Sequence, residues 1–367
     1  MNYTMDISLI HDTKEFYAIR DEWNELLEKS DQNTIFLRWE WLYNWWLVYG
    51  CNSDTLYICA VRDGGRLLGI APLYVKKKKY PFPAKEINFL GSNIVCSDYL
   101  NFILLKGRED ATLRAILSFL NKNDHWDAIR LSDIPLASKN VPLINEYFED
   151  RKVEINRNYT VCPYLPLTST WESIHESLLP NLRNTLEQKR RRLNARHRIS
   201  FIEVDSSEHS GHYFSDFLKL NQLRFEKKGI DSPFRDKNFL SFHQNIIKEL
   251  HEKGMSKLLF LKADGHFIAG MYLFHYNNKY LYYQSGFDPA WSSFSPGTLL
   301  FHFCIKTGHE RGVEEFDFLQ GAEEYKSSWT KSRRHNAEIS VWNNTPGGIL
   351  SRFVKKTAHL LKKFVLG

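Results

Sequence analysis

Y-Y-Q-S-G-F-D-P-A-W (282–291), S-P-G-T-L-L (295–300), E-R-G-V-E-E-F-D-F-L-Q-G (310–321) and Y-K-S-S-W (325–329) succeed one another at short intervals near the end of the chain. Tyr280 and Tyr282 alternate as strand residues do. Ser295-Pro296-Gly297-Thr298 then opens an apolar helix through Ile305. Phe316-Asp317-Phe318-Leu319 reads as a short strand, and Gln320-Gly321 turns it into Tyr325-Lys326. Strand, glycine-containing loop, helix and strand is an order in which an α/β enzyme presents a helix N-terminus to an anionic group. The first amides of a helix lack carbonyl partners, and its dipole favours negative charge there.

At 367 residues the chain has the length of two domains. Hydrophobic residues make up 43% and aromatics 14%, a globular composition able to fill a large core. The five cysteines (Cys51, Cys59, Cys96, Cys162, Cys304) are odd in number and scattered, without a C-x-x-C pair. That pattern argues against a disulfide framework or a zinc site and suits a reducing compartment. The first residues show no basic region leading into an apolar run, and no segment has the length of a membrane span, so the expected location is cytoplasmic or peripheral at the inner membrane surface. The net charge of +6 is modest, but basic residues cluster at 76–79, 189–192, 333–334 and in the C-terminal tail.

Outward from the opening stretch, the chain repeats one grammar. The first half reads as a strand at 7–10 and a helix at 14–29 with Phe16, Ile19, Trp23, Leu26 and Leu27 on one face. An aromatic-rich segment follows at 36–49. L-Y-I-C-A-V-R-D-G-G-R-L-L-G-I-A-P-L (56–73) is a hairpin over a D-G-G turn. Strands at 86–90 and 101–105, a helix at 109–121 and a strand at 128–131 complete an α+β unit. In the second half, helices are expected at 171–178, 180–195, 213–228 and 237–253, with a strand at 200–204. L-L-F-L-K-A-D-G-H-F-I-A-G-M-Y-L (258–273) is the counterpart hairpin, and 279–285 adds a strand. The similar halves suggest an internal duplication. Pro163 and Pro166 place the boundary near 163–170. The expected domains are therefore 1–165 and 166–345, followed by a basic amphipathic helix at 346–367.

In this order, helix, hairpin over Asp-Gly, aromatic strand, S-P-G-x-L-L helix, F-D-F-L-x-G and Y-K-x-x-W, the chain resembles the GNAT-superfamily acyltransferases of the CelD-like group. Those are proteins of cellulose or exopolysaccharide biosynthesis, related to the tandem-domain Fem aminoacyltransferases. F-L-R-W-E-W-L-Y-N-W-W (36–46), I-A-P-L-Y-V (70–75), N-L-R-N-T-L-E-Q-K-R-R-R-L (181–193) and L-N-Q-L-R-F-E-K-K-G (220–229) extend the resemblance over nearly the whole chain. The resemblance implies an α/β (α+β) fold of two tandem GNAT-like domains, each a mixed, mostly antiparallel sheet flanked by helices. It also implies acyl transfer to an amine, with acyl-CoA or acetyl-CoA as donor. A typical acetyl-CoA-binding member has Q/R-x-x-G-x-G/A before its central helix. This chain has S-F-S-P-G (293–297) there, which leaves the donor open.

Acyl transfer needs a neutral amine, a group that stabilises the oxyanion and a route for the departing proton. Lys326, matching the family's Y-K pair, is a candidate for holding phosphate or developing negative charge. Asp317 is a candidate base or structural anchor, and Tyr325 a candidate proton donor or a packing residue. Ser295, Pro296, Gly297 and Thr298 are the expected donor-binding turn, with Gly297 and Thr298 offering amides to a pyrophosphate. Arg224, Tyr283, Asp288 and Trp329 are candidates for an amino-sugar acceptor. His302 and His309 lie too far apart on their helix to hold a metal. The basic helix at 180–195 suits phosphate or plain solvation. The tail helix at 349–365 separates Ile349, Leu350, Phe353, Val354, Leu360, Leu361, Phe364 and Val365 from Arg352, Lys355, Lys356, His359, Lys362 and Lys363. Such a helix either lies on an anionic membrane or closes over the protein's own core.

Three readings follow: an N-acyltransferase of surface polysaccharide or glycolipid assembly, an aminoacyl-tRNA-dependent Fem-like transferase acting on a peptidoglycan precursor, and a non-catalytic accessory protein of a polysaccharide synthase. Nucleic acid is an expected partner only if charged tRNA is the donor.

Overall fold

The computed structural model describes residues 5–50, 54–79, 81–92, 94–123, 125–149, 152–204 and 210–366, without the side chains of 156–158, 210 and 358–366. Cys51 and the side chains from His359 to Val365 therefore lie outside the described residues. The chain forms two compact units, Met1–Thr160 with His335–Gly367, and Val161–Arg334. The expected boundary at 165/166 differs because strand Lys152–Pro166 runs through it. Pro163 and Pro166 discourage helix but not an extended segment. Arg333–Trp342 and the tail helix Pro346–Leu366 count almost wholly with the first unit, since 336–342 pair antiparallel with Ala128–Pro135.

In the first unit, Asp6–Ile10, Ile58–Asp63, Arg66–Ala71 and Ile103–Leu104 form one antiparallel sheet. A second strand group contains the parallel pair Ala84–Phe89 and Ala128–Pro135. The 14–29 helix is two helices, Thr13–Ala18 and Arg20–Glu28. The aromatic-rich segment becomes helix Trp39–Tyr49. Trp23, Trp39, Trp41 and Trp45 are fully buried, so these indoles belong to the core. Three of their indole N–H groups donate at 2.8 Å, to Leu37 O, Phe16 O and Ser97 Oγ, which removes the penalty of burying them.

The second unit carries strands in the order Ile199–Glu203, Ser256–Ala263, His266–Tyr276, Lys279–Phe287, Glu315–Asp317 and then 164–166. All neighbours are antiparallel except Lys279–Phe287 and Glu315–Asp317, which helix Pro296–Glu310 joins as a crossover. The hairpin turn expected at Asp264-Gly265 is present, with both residues at positive φ (50° and 85°), as a two-residue turn demands. Leu299, Leu300, Cys304 and Ile305 of the crossover helix bury against Leu261, Ile268, Tyr280 and Phe316 of the sheet. Each large side chain so placed is worth about 1.5–3 kcal/mol. Helix Pro180–Asn194 turns Leu182, Leu186 and Leu193 to the core and leaves Arg190, Arg191 and Arg192 exposed.

Candidate functional site

The parallel pairing between Lys279–Phe287 and Glu315–Asp317 lasts three residues, from Lys279 opposite Glu315 to Leu281 opposite Asp317. The first strand then continues to Phe287, while the other chain turns away through Leu319, at φ 54°. The strands part, and a cavity of about 420 Å³ occupies the opening, lined in part by Arg224, Ser285, Phe287, Thr298, Tyr325 and Trp329.

A bulge decides which side chains reach it. Tyr272 pairs with Gln284 and Leu273 with Tyr282, which leaves Tyr283 as an extra residue. The inserted residue shifts the two-residue alternation by one. Ser285 and Phe287 therefore share the face of Tyr282, and Gly286 turns to the other. Against that second face runs helix Ser210–Lys227, which buries Phe214, Phe217, Leu220 and Asn221. Its backbone comes so close at Gly286 that an added Cβ would meet Asn221 N at 2.2 Å. The close approach lets Asn221 Nδ2 and an Arg224 guanidinium N–H donate to the Ser285 carbonyl at 2.9 and 3.0 Å. These two bonds satisfy an acceptor that the parted strands leave without a ladder partner.

From Arg224 a polar chain enters the cavity. Arg224 also donates to Ser285 Oγ at 3.1 Å, Ser285 Oγ and the Tyr282 hydroxyl are 2.8 Å apart, and the phenol of Tyr325 stands beside that of Tyr282. Burial, then the neighbouring Tyr282 and Glu323, hold the Tyr325 hydroxyl protonated far above the ordinary phenol range, with Arg224 opposing them. Tyr325 is thus a neutral hydrogen-bond donor at any physiological pH.

The opposite wall is the start of the crossover helix. Ser295 adopts φ 52°, ψ 54° and ends the turn Pro289–Phe294, and Pro296 occupies the first helical turn, where it loses no helical hydrogen bond. Leu299 is the first amide to find a carbonyl, that of Ser295 at 3.1 Å. Gly297 and Thr298 precede it and line the cavity. A Cβ on Gly297 would touch only Phe287, at 3.8 Å, so the approach to these amides is open. Amides, guanidinium and phenol converge without a single carboxylate in the lining. Such a set receives an anionic group or an oxyanion.

Arg224, Gly297, Thr298, Tyr325 and Trp329 are thus brought together, and Ser295 and Pro296 shape the turn beside them. Four expected residues stand elsewhere. Lys326, on helix Glu324–Trp329, is buried and donates to Gln320 O at 2.7 Å and Leu319 O at 3.3 Å, with Glu323 at 2.9 Å. It braces the turn behind Tyr325. Asp317 is fully buried, accepts from Leu319 N–H at 2.8 Å and faces Arg334 at 3.5 Å. Tyr283 meets His243 Nε2 at 2.9 Å on the opposite face. Asp288 caps the turn Pro289–Phe294 through Ala290 N–H. Ser285, Phe287 and Thr185 line the cavity without any sequence signal that singled them out. Among the described residues no group of histidines, cysteines and carboxylates is arranged for a metal ion.

Residues 180–327 match the acetyltransferase (GNAT) domain family. No curated protein matches the sequence. Among solved structures, the chain resembles FemX at 14% identity over 93% of this chain and 98% of that one, with a TM-score of 0.64. L-PGS from Bacillus licheniformis aligns at 9% identity over 92% and 96%, TM-score 0.54. The C-terminal domain of a putative lysylphosphatidylglycerol synthetase from Agrobacterium fabrum aligns at 10% over 93% and 95%, TM-score 0.53. At these identities the likeness is one of fold. The protein has the mixed, helix-flanked GNAT-like fold, and the stretch that matches the acetyltransferase family lies within its second unit.

Proposed function

We propose that the protein moves an acyl group from an acyl thioester, of the acyl-CoA class, to the amine of an amino sugar or related acceptor in surface polysaccharide or glycolipid assembly. The observation that carries the reading is the convergence of Gly297 and Thr298 amides, Arg224 and Tyr325 on one cavity at the parting of two parallel strands. The amides and Arg224 suit the donor's phosphate or the carbonyl oxygen as it gains charge. Phe287, Phe301 and Trp329 give apolar walls for an acyl chain or a sugar face. In the transfer, the neutral amine bonds to the acyl carbon and the C–S bond breaks; the proton that the nitrogen gives up in becoming an amide passes through water to the departing thiolate, while the neutral Tyr325 hydroxyl donates a hydrogen bond to that sulfur and keeps its own proton. The lining contains no carboxylate to take a proton from an ammonium, so the amine arrives already unprotonated.

Calorimetric titration with acetyl-CoA and CoA tests this. Saturable binding is expected, weakened about tenfold or more in Arg224→Ala, the scale of a lost charge-assisted hydrogen bond. No binding of any acyl-CoA, or equal affinity in the variant, refutes it. The exposed arginines of helix Pro180–Asn194 and the FemX-like fold favour one second reading, transfer from charged tRNA. Binding that RNase abolishes would select it.

A further inference from the structure

We propose that the tail helix Pro346–Leu366 is an interfacial anchor that lies on an anionic lipid surface with its apolar side down. The unusual feature is its orientation. Ser351 is buried and Lys355 is directed inward, donating to Glu338 at 2.6 Å and Ser340 Oγ at 2.9 Å. Lys355 and Arg352 both lie over the Trp342 ring, at 5.4 and 6.0 Å. At the helix start, Gly348 N–H donates to Thr345 Oγ1, which itself donates to Asp127 at 2.6 Å. The helix is thus held by its polar side. Ile349 and Phe353 are 63% and 64% exposed, Leu350 43% and Val354 38%.

These four positions span about 140° of the helix at 100° per residue. In the sequence the same spacing continues at Leu360, Leu361, Phe364 and Val365. An amphipathic helix docked on its own domain buries its apolar stripe, and this one does the reverse. A stripe of large side chains left to water on an otherwise well-packed unit marks a surface that meets something apolar.

Charge selects the occupant. From 346 to 367 the sequence contains Arg352, Lys355, Lys356, Lys362 and Lys363 and no Asp or Glu. Glu338 takes up Lys355, but two copies packed through this face would still bring the other four cations of one helix towards four of the next with no counter-charge from either helix. An anionic lipid surface supplies the counter-charge and the apolar medium together. Among the described residues no helix is long and apolar enough to cross a membrane, which fits a helix lying in the interface. The inference does not depend on the acyl-transfer reading.

The test is co-sedimentation of the full chain with vesicles of phosphatidylcholine alone and of phosphatidylcholine with phosphatidylglycerol, at low and high salt. Binding to the anionic vesicles is expected, weakened by salt. The double variant Ile349→Ser/Phe353→Ser should lower the partition at least tenfold, and Lys356→Gln about fivefold. Both change exposed side chains, so the melting temperature serves as a control and should not move. Equal partition of the double variant overturns the proposal. So does a wild-type dimer, seen by light scattering, that the double variant dissociates while neither protein binds vesicles.

Discussion

Gly286→Ala is the sharpest probe of the site, because one methyl group strikes the contact that seats Arg224. The new Cβ would stand 2.2 Å from Asn221 N, 2.3 Å from Leu220 C and 2.6 Å from Asn221 Cα. All three are backbone atoms of helix Ser210–Lys227, so no rotamer relieves the clash. Ordinary contact at roughly 3.5 Å requires the helix to withdraw by about 1 Å. Asn221 and Arg224 move with it, and their bonds to the Ser285 carbonyl, now 2.9 and 3.0 Å, pass beyond hydrogen-bonding reach. Overpacking and two lost bonds together cost about 2–4 kcal/mol. For a unit of this size that lowers the melting temperature by roughly 5–15 °C. A misplacement of about 1 Å at Arg224 also slows transfer on the order of a hundredfold. Differential scanning calorimetry and an acyl-transfer assay read the two effects. Gly211→Ala in the same helix, where an added Cβ meets open space, is the control and should hold or gain stability. A Gly286→Ala protein that melts with the wild type refutes the close approach. One that melts early yet transfers normally refutes the role given to Arg224.

Three further substitutions test the surroundings. Lys326→Met should lower the unfolding free energy in urea by about 2 kcal/mol, because two carbonyls lose their buried donor; unchanged stability with lost transfer would show that its ammonium acts on substrate instead. His243 and His302 are held neutral by burial, the first down to about 3 and the second, also near His175, Arg190 and Lys306, to about 4. The unfolded chain takes those protons near pH 6.5, so stability is full above that value and falls as the pH drops towards 4. By pH 5 the loss is about 2 kcal/mol for each histidine, and His302→Gln should flatten the urea midpoint's pH dependence; an unchanged slope contradicts the burial argument. Asp133, pushed up to about 7 by burial and by Glu338, has the opposite sign. Its cost grows as the pH rises from 3.8 to 7, so Asp133→Asn should raise the melting temperature more at pH 8 than at pH 4.

Much of the fold could be read from local chemistry. The Asp-Gly turns, the Ser-Pro-Gly helix start and the apolar periodicity of 237–250 each force one local structure whatever surrounds them. The cavity could be read only in part. Gly297, Thr298 and Tyr325 stood out because helix starts and turn residues have signatures, whereas Ser285 reaches the cavity through a bulge at Tyr283 that no residue type announces. Lys326 carried the strongest sequence expectation, but its burial against two carbonyls depends on the turn at Leu319, a tertiary matter. Strand Lys152–Pro166 has little sequence signal, because R-N-Y-T and its neighbours alternate poorly and two prolines close it. For the tail, periodicity separates the two sides of the helix but does not say which faces inward. Glu338 and Trp342, on strand Arg333–Trp342, decide that.

The two units treat one local feature differently. Each contains a short parallel pairing whose strands then part: Glu86–Asn88 with Ala128–Arg130 in the first, Lys279–Leu281 with Glu315–Asp317 in the second. In the first unit the segments leaving the strands are tied together. Asn101 donates to Ser138 Oγ at 3.0 Å and Asn140 donates to Asn101 Oδ1 at 2.7 Å, while Leu90, Val95, Leu100 and Phe102 are fully buried around them. These segments contribute core packing. In the second unit the corresponding segments carry Phe287 on one side and Tyr325 on the other, and the lining polar groups point into space that no side chain of the unit fills. The substitutions that impair transfer without unfolding the protein should therefore concentrate at 224, 285, 297–298 and 325.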